Sequence, residues 1–393
     1  MIDSILFSLV VLSAVFWACS ALLLLLSVTA ALVHPWLVAK RGTSSERPPV
    51  SLVLPVKMLD QGFERAQESA LAQRYPQFEA LASATEAASP AISAMRDIFA
   101  RHPEISTRIL HSTARFAASP KVDNLFAPFN EAHNDVIFMK DSNIVLEPDD
   151  LSEAMRHLKP GVGMVCAIPY AARPENFAAD VEAAIMNGPH QRMLFAVSAL
   201  GFGFGVGKIM LFRRGDFLRA GGFAAIAHTV GEDNATAKAL SRIKLRTVFS
   251  HRLVRQELGE RNLLDVYNRQ LRWSVVRRDD EILSFLAEPF CQALPAFAAA
   301  AIGSSLVGVS PMTALTVTFC LWLSSETLLS IAKGWKVSWS APAIFLSREA
   351  LMFAVWLHAW TATKVVWART TIDTRSSGEA AAATEPQVAK EEG

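Results

Sequence analysis

The chain has 393 residues, of which 51% are hydrophobic and 19% charged, and its formal net charge is +1. This balance, with no basic run interleaved with aromatic residues, argues against nucleic acid as a partner. The apolar excess lies in two blocks, at the N-terminus and over most of the last third, with a stretch of ordinary soluble composition between them. The four cysteines form no metal or disulfide pattern, which fits a reduced cytosolic compartment.

The first apolar block predicts a retained membrane anchor. Residues 5–33 contain only Ser, Thr, Cys and apolar side chains, which is longer than the roughly 20 residues that span a bilayer. The start is acidic, at Asp3, whereas a cleaved signal peptide begins with basic residues. Lys40, Arg41 and Arg47 follow the block, so the positive-inside rule places the downstream domain in the cytosol.

The central stretch predicts an α/β domain. Apolar, strand-like runs occur at residues 50–54, 135–140, 162–168 and 209–212. Helical patterns lie between them, at residues 62–73 and 150–158 among others. Strands that alternate with helices indicate a mostly parallel, doubly wound sheet, in which ligands bind beyond the carboxyl ends of the strands.

The second apolar block predicts two or three further spans, at residues 286–309, 311–332 and 351–367. Three spans after a cytosolic domain would leave the basic residues near the C-terminus outside, against the positive-inside rule. One segment is therefore expected to be interfacial or re-entrant. The predicted segments are an anchor at 1–41, the α/β domain at 48–283, transmembrane or interfacial helices at 284–369 and a disordered tail at 370–393.

Three motifs could carry chemistry. Asp141 follows the apolar run "VIFMK", where a carboxylate could hold a divalent cation or simply form a turn. Asp233 in "GED" could accept a proton from a hydroxyl, or could cap the helix that follows. Arg269, Arg272 and Trp273 in "RQLRW" could neutralise a leaving diphosphate and line a binding site, or could belong to an amphipathic helix at the membrane surface.

Taken together and in this order, the motifs resemble the ceramide glucosyltransferases, family 21 of the glycosyltransferases. The resemblance extends over residues 49–367. Segments that follow the family's order include "PVSLVLPVKMLD", "SPKVDNL", "KDSNI", "GPHQR", "FRRGDFLRAGGF", "GED" and "SREALMFAVWLHAW". The resemblance implies a GT-A fold, a UDP-sugar donor held with Mg²⁺ or Mn²⁺, and a lipid acceptor in the membrane.

The resemblance also implies a role for each motif. Asp141 would belong to the metal and diphosphate site, and Asp233 would be the general base. The family's signature close to the membrane corresponds to Arg269, Arg272 and Trp273. Further positions that match the family near its active site are Lys57, Lys121 and His190.

Two positions depart from the family's pattern. The family has an Asp that helps to hold the uridine, and Glu86 is the nearest carboxylate in this chain. Asn143 replaces the second acid of the Asp-x-Asp form, and its carbonyl could bind the metal with less charge. The resemblance therefore says less about the donor and the rate than about the fold.

The predicted reaction is an inverting transfer of a hexose, with glucose from UDP-glucose as the first choice, onto a lipid hydroxyl. Ceramide is the first choice of acceptor, and diacylglycerol and hopanoids are the alternatives. A polysaccharide synthase of the cellulose or chitin type is the other enzymatic alternative. The expected location is a bacterial inner membrane, with the catalytic domain facing the cytoplasm.

Two alternatives come from other classes of protein. The chain could be a catalytically silent membrane scaffold, given Glu86 and Asn143. It could also be a transporter, because Glu326, Arg348 and Glu349 lie near or within the predicted spans. Too few spans and the lack of a repeated half argue against a transporter.

Overall fold

The structure, a computed structural model, describes residues 2–367 and 370–373. The chain divides into two compact units. The helical unit contains residues 2–37, residues 171–200 and residues 258–365. The sheet unit contains residues 38–170, residues 201–257, residues 366–367 and residues 370–373. The domain boundaries drawn from the sequence stay predictions.

The helices of the described residues are α1 (Ile2–Ala39), α2 (Phe63–Leu71), α3 (Pro90–Ala100), α4 (Pro120–Glu131), α5 (Asp150–His157), α6 (Phe177–Ile185), α7 (Gln191–Ala199), α8 (Arg214–Arg219), α9 (Glu232–Arg242), α10 (Leu263–Asp280), α11 (Ile282–Cys291), α12 (Ala293–Gly303), α13 (Pro311–Lys333) and α14 (Ala341–Ala359). The strands are β1 (Val50–Pro55), β2 (Phe78–Ala84), β3 (Ser106–His111), β4 (Val136–Lys140), β5 (Ile144–Val145), β6 (Val162–Cys166), β7 (Pro169–Pro174), β8 (Ile209–Arg213), β9 (Arg246–Phe249), β10 (Val254–Gly259), β11 (Lys364–Trp367) and β12 (Thr370–Asp373).

The sheet unit is built on a seven-stranded sheet in the order β3-β2-β1-β4-β8-β6-β9. Only β8 runs antiparallel to its neighbours β4 and β6, and the other pairs are parallel. Every residue of β1 and of β4 is buried, as expected for central strands covered on both faces. The mostly parallel sheet predicted from the sequence is confirmed, and β8 is its one antiparallel member.

A second sheet has the order β5-β10-β7, and β10 pairs with β5 in antiparallel fashion. The chain passes between the two units within β7 and again within β10. A two-stranded sheet joins β11 and β12. Strand β12 covers the first four residues of the segment predicted as a disordered tail, and residues 374–393 lie outside the described residues.

In the helical unit, α1 and α13 are long and apolar enough to cross a membrane. A third candidate is the pair formed by Ile282–Cys291 and Ala293–Val307, which is bent by 61°. The bend follows from the extended backbone of Gln292 between the two helices. Such a pair is a broken span or a re-entrant loop, as expected for one segment of this block.

The third predicted span, at residues 351–367, is wrong. Helix α14 begins ten residues earlier, at Ala341, and ends at Ala359, and Lys364–Trp367 form a strand. Arg348 and Glu349 lie inside the helix and are buried. The sequence placed a boundary at this charged pair because isolated charges rarely lie inside apolar helices, but here the two side chains form an ion pair of 2.6 Å.

Candidate active site

Three of the predicted site residues follow adjacent strands of the large sheet. Lys57 follows β1, Glu86 follows β2 and Asp141 follows β4. Because these strands are parallel neighbours, their carboxyl ends lie at one edge of the sheet. Glu86 is exposed and Lys57 is half-buried. Burial lowers the pKa of Lys57, and the negative charge of Glu86 acts in the opposite direction.

Helix α4 begins within the "SPKVDNL" segment, and residues of this segment hold the strand ends at this edge of the sheet. Asn124 is buried, and its Nδ2 donates to the carbonyl oxygens of Val56 and Ser83, each at 3.1 Å. Val56 directly follows β1 and Ser83 is the penultimate residue of β2, so one amide holds both strand exits. Asp123 accepts backbone N–H groups from Phe116 and Ala117. The segment entered the sequence argument only through the family resemblance, and no local pattern indicated these contacts.

A cluster of charges surrounds Asp141. The Nζ of Lys121 lies 2.5 Å from Oδ1 of Asp141 and 2.9 Å from Oε1 of Glu232. The Nζ of Lys208 lies 3.0 Å from Oδ2 of Asp141. Burial acts to raise the pKa of Asp141, but the two ammonium groups outweigh it and lower that pKa to about 2.

Asp233 lies in the first turn of α9 and is held by backbone donors. Its Oδ2 accepts from Gly207 N at 2.7 Å, and its Oδ1 accepts from Asn234 N at 2.8 Å. Burial and the neighbouring Glu232 raise the pKa of Asp233 to about 6, although Lys121 opposes the shift. Both sequence interpretations therefore have a physical basis, since an acid at a helix N-terminus also has the pKa of a general base.

The glycine-rich segment at residues 201–207 packs tightly against Asp233. A Cβ atom on Gly205 would lie 2.0 Å from the carbonyl oxygen of Asp233, so only glycine fits there. A Cβ on Gly207 would lie 3.1 Å from Oδ2 of Asp233. Sequence reasoning missed this segment, and also Lys208 and Glu232. The sequence signal for the segment was the regular spacing of glycines in "GFGFGVGK", and this signal is weak without a structure.

The loop between β4 and β5 carries Asp141 and Asn143. The amino group of Lys140 is fully buried, which lowers its pKa to about 7, and it donates to the carbonyl oxygens of Ala66, Ile144 and Asp141 at 3.0, 3.0 and 3.2 Å. Within the described part of the chain the side-chain amide of Asn143 makes no hydrogen bond. Lys140 thus fixes the backbone of this loop. The side-chain oxygen atoms of the two predicted metal ligands, Asp141 and Asn143, stay near the sheet edge.

The predicted residues of the RQLRW motif lie in the helical unit, on α10. The ring of Trp273 packs against that of His190, with centroids 5.7 Å apart. Arg269 donates to Glu182 at 2.7 Å, and this fully buried carboxylate also holds Arg261 at 3.0 Å. Arg269 is therefore neutralised within the unit.

His190 and Arg272 complete the predicted set. Both are half-buried. Burial, together with the charges of Arg277 and Arg348, lowers the pKa of His190 to about 3, so its ring is neutral at physiological pH. The structure thus brings together Lys121, Asp141 and Asp233 in the sheet unit, and separately His190 with Trp273 in the helical unit.

In residues 2–367 and 370–373, no group of three or more His, Cys, Asp or Glu side chains could hold a metal ion by itself. The metal ligands predicted from the sequence are one carboxylate, Asp141, and one amide, Asn143. Divalent ions such as Mg²⁺ are often held by one or two carboxylates together with substrate phosphates and water. The attraction of two ammonium groups to Asp141 indicates that this carboxylate binds positive charge. The residues therefore fit an ion that a diphosphate brings with it.

The sequence matches the profile of glycosyl transferase family 21 over residues 18–380. Ceramide glucosyltransferase 1 of Caenorhabditis elegans is 26% identical over 234 residues, which cover 58% of this chain and 50% of that protein. Ceramide glucosyltransferase 3 of the same organism is 21% identical over 332 residues, covering 82% of this chain and 72% of that protein. This chain thus spans half the length of the first relative.

Among solved structures, the mannosyltransferase PcManGT from Pyrobaculum calidifontis, in complex with GDP-Man and Mn²⁺, has a TM-score of 0.55 and 17% identity. The match covers 88% of this chain and 99% of that one. This likeness confirms the predicted GT-A fold. Because the family profile covers nearly the whole sequence, the chain belongs to glycosyl transferase family 21, the family of glycosyltransferases that its motifs predicted.

Proposed function

We propose that the protein is a membrane-bound glycosyltransferase that moves glucose from UDP-glucose onto the hydroxyl group of a membrane lipid, with ceramide as the acceptor. The observation that carries the proposal is the cluster of Lys121, Asp141, Lys208, Glu232 and Asp233 at the carboxyl edge of a GT-A sheet. Family membership and the two relatives named ceramide glucosyltransferases support the reaction class and the acceptor. The nucleotide sugar bound to the structural neighbour supports the donor class.

Asp233 is the proposed general base. With a pKa of about 6 it is mostly ionised at neutral pH, yet basic enough to take a proton in a transition state. The acceptor oxygen forms a bond to the anomeric carbon while the bond from that carbon to the UDP oxygen breaks. The hydroxyl proton passes to Asp233. A single displacement of this kind inverts the anomeric centre and needs one base and no protein nucleophile.

Asp141 and Asn143 are the residues that would hold Mg²⁺ or Mn²⁺ beside the diphosphate. When bound, the ion would neutralise charge on the leaving UDP. Glu86 and Lys57, at the exits of β2 and β1, are proposed to contact the donor from the same edge of the sheet.

Roles are also proposed for four residues of the helical unit. The ion pair between Arg269 and Glu182 favours a positioning role for this arginine. Arg272, Trp273 and His190 are proposed to act on the acceptor or the leaving group, as the family resemblance implies.

The proposed location is a bacterial inner membrane, with the sheet unit in the cytoplasm. Helices α1 and α13 supply the membrane segments. The basic residues Lys40, Arg41 and Arg47 after α1 favour a cytoplasmic sheet unit. UDP-sugars are then on the same side as the site.

The decisive experiment is a reaction of the purified full-length protein with UDP-glucose, Mn²⁺ and separate ceramide, diacylglycerol and hopanoid acceptors. Mass spectrometry should detect the hexosylated ceramide, and NMR of its anomeric proton should show the β-glucoside expected from an α-linked donor. A product on diacylglycerol alone, or on the hopanoid alone, would show that this lipid and not ceramide is the acceptor. Protein that binds neither UDP nor UDP-glucose would overturn the function as a whole and favour a silent scaffold.

A further inference from the structure

We infer that Lys208 is the residue that binds the diphosphate of the donor, and that Lys121 is a fixed structural cation. The inference rests on the proposed function. It starts from the difference between the two lysines that share the carboxylate of Asp141, Lys121 on Oδ1 and Lys208 on Oδ2.

Lys121 has no donor left for a ligand. An ammonium group has three N–H donors. Those of Lys121 have three acceptors within reach, namely Oδ1 of Asp141 at 2.5 Å, Oε1 of Glu232 at 2.9 Å and the carbonyl oxygen of Gly207 at 3.4 Å. Turning toward a phosphate would take the counter-ion from Glu232 and one of the two from Asp141, so Lys121 is held in place.

Lys208 has spare donors. Its ammonium has one protein partner in the described residues, Oδ2 of Asp141 at 3.0 Å, which leaves two N–H donors for a ligand. Its side chain is 17% exposed, so it is neither sealed in the core nor loose on the surface. The ammonium can therefore rotate toward an anion, and the only contact that this breaks among the described residues is the one with Asp141.

The backbone keeps Lys208 at the site. The carbonyl oxygen of Lys208 accepts from the N–H of Asp141 at 3.1 Å, and β8 begins at the next residue. The lysine stem thus starts beside Asp141, and any group that reaches this carboxylate is also within reach of the ammonium. If Lys208 turned to a phosphate, Oδ2 of Asp141 would be free to hold a divalent ion.

Electrostatics favour such an exchange. Around the site, the two ammonium groups of Lys121 and Lys208 face three carboxylates, those of Asp141, Glu232 and Asp233. With all three ionised, the cluster has a negative charge and repels a diphosphate. Transfer of the Lys208 ammonium from the carboxylate to the phosphate would reduce that repulsion, and a divalent ion held by Asp141 would supply further positive charge.

The test is calorimetric titration of UDP, and of uridine by competition, into the full-length protein with Mn²⁺. Lys208→Met should weaken UDP binding by about 10- to 100-fold, because a charge-assisted hydrogen bond is lost. Uridine has no phosphate, so its affinity should stay within about twofold of wild type. Lys208→Arg should keep most of the UDP affinity.

Lys159→Met is the matched control, since its ammonium donates to the carbonyl of Gly42 away from this cluster, and UDP binding should not change. UDP affinity of Lys208→Met equal to wild type would overturn the inference and leave the proposed function standing. Equal losses for UDP and uridine would also overturn it, because they would indicate a distorted fold. Wild-type protein that fails to bind UDP would remove the proposed function together with the inference.

Discussion

The carboxylate of Asp233 is buried beside Glu232, and its pKa of about 6 sets the expected pH dependence of the reaction. A base acts in its ionised form, so kcat/KM should fall about tenfold per pH unit below pH 6 and level off above it. Asp233→Asn keeps the size of the side chain but removes the base. Its turnover should be about 10²- to 10⁴-fold lower, with UDP affinity within a few-fold of wild type.

The measurement is UDP release as a function of pH for both proteins, with calorimetry of UDP at neutral pH. The residual activity of the variant should lack the acid limb of the wild-type profile. A wild-type rate that stays flat from pH 7 to pH 5, or a variant within a few-fold of wild type, would leave Asp233 only its role at the start of α9.

Glu86 should act on donor binding and not on the chemical step. It is exposed on the loop after β2, where uridine recognition was predicted. The uracil ring does not change between ground state and transition state, so its hydrogen bonds contribute uniformly and affect KM but hardly kcat. Glu86→Ala should weaken UDP by about 1 kcal/mol, roughly fivefold, and Glu86→Asp should do less harm.

Calorimetry of UDP with the three proteins decides this prediction. If wild type, Glu86→Ala and Glu86→Asp bind UDP alike, Glu86 is a solvated loop residue. The acid that the family uses at this position would then be missing here without a replacement.

At the scale of elements, the loop between β4 and β5 depends on Lys140. Its buried amino group donates to three carbonyl oxygens, those of Ala66, Asp141 and Ile144. Lys140→Met would remove the donor that these carbonyls share, although the oxygen of Ala66 also accepts from Ser69 Oγ at 2.7 Å, and the expected cost is about 1 to 3 kcal/mol. We expect a lower melting temperature and weaker Mn²⁺ binding in the presence of UDP, since the loop carries Asp141 and Asn143. Lys159→Met is again the control. A Lys140→Met protein that is as stable as wild type would contradict this role of Lys140 in the loop.

Four strands of this unit, β1, β4, β6 and β8, could be predicted from the sequence because each is a short apolar run that is almost wholly buried. The predicted strand at residues 135–140 differs from Val136–Lys140 by one residue. The partners of the site could not be predicted in the same way. Lys121 meets Glu232 across more than a hundred residues, and Lys208 meets Asp141 across a sheet edge. Periodicity carries no information about such pairs, and only the family resemblance indicated part of them.

At the scale of the whole molecule, the helical unit shows why charge alone misplaced α14. Glu326 of α13 lies 3.1 Å from Arg192 and 2.5 Å from Arg348. Glu349 also accepts backbone N–H groups from Ala293 and from Leu294. The charged residues that suggested a transporter thus form ion pairs and hydrogen bonds within the helical unit, as buried charges must. A hydropathy pattern cannot anticipate this pairing, because the partners lie on different helices.

The membrane topology is open to one direct prediction. If the bent pair of α11 and α12 is a complete span, the chain crosses three times, and the residues after α13 return to the side of the sheet unit. Lys333 at the end of α13 and Lys336 in the loop after it are basic, and the positive-inside rule places them in the cytoplasm. A re-entrant pair would instead put these lysines outside. The charges therefore favour a broken span.

Reporter fusions distinguish the two arrangements. Green fluorescent protein fluoresces in the cytoplasm, and alkaline phosphatase is active only outside it, because it needs disulfides. Fusions after Lys159 and after Lys336 should fluoresce, and a phosphatase fusion after Ser310, between α12 and α13, should be active. Phosphatase activity after Lys336, with none after Ser310, would make the pair re-entrant. Phosphatase activity after Lys159 would place the sheet unit outside, away from cytoplasmic UDP-sugars, and would overturn the proposed orientation.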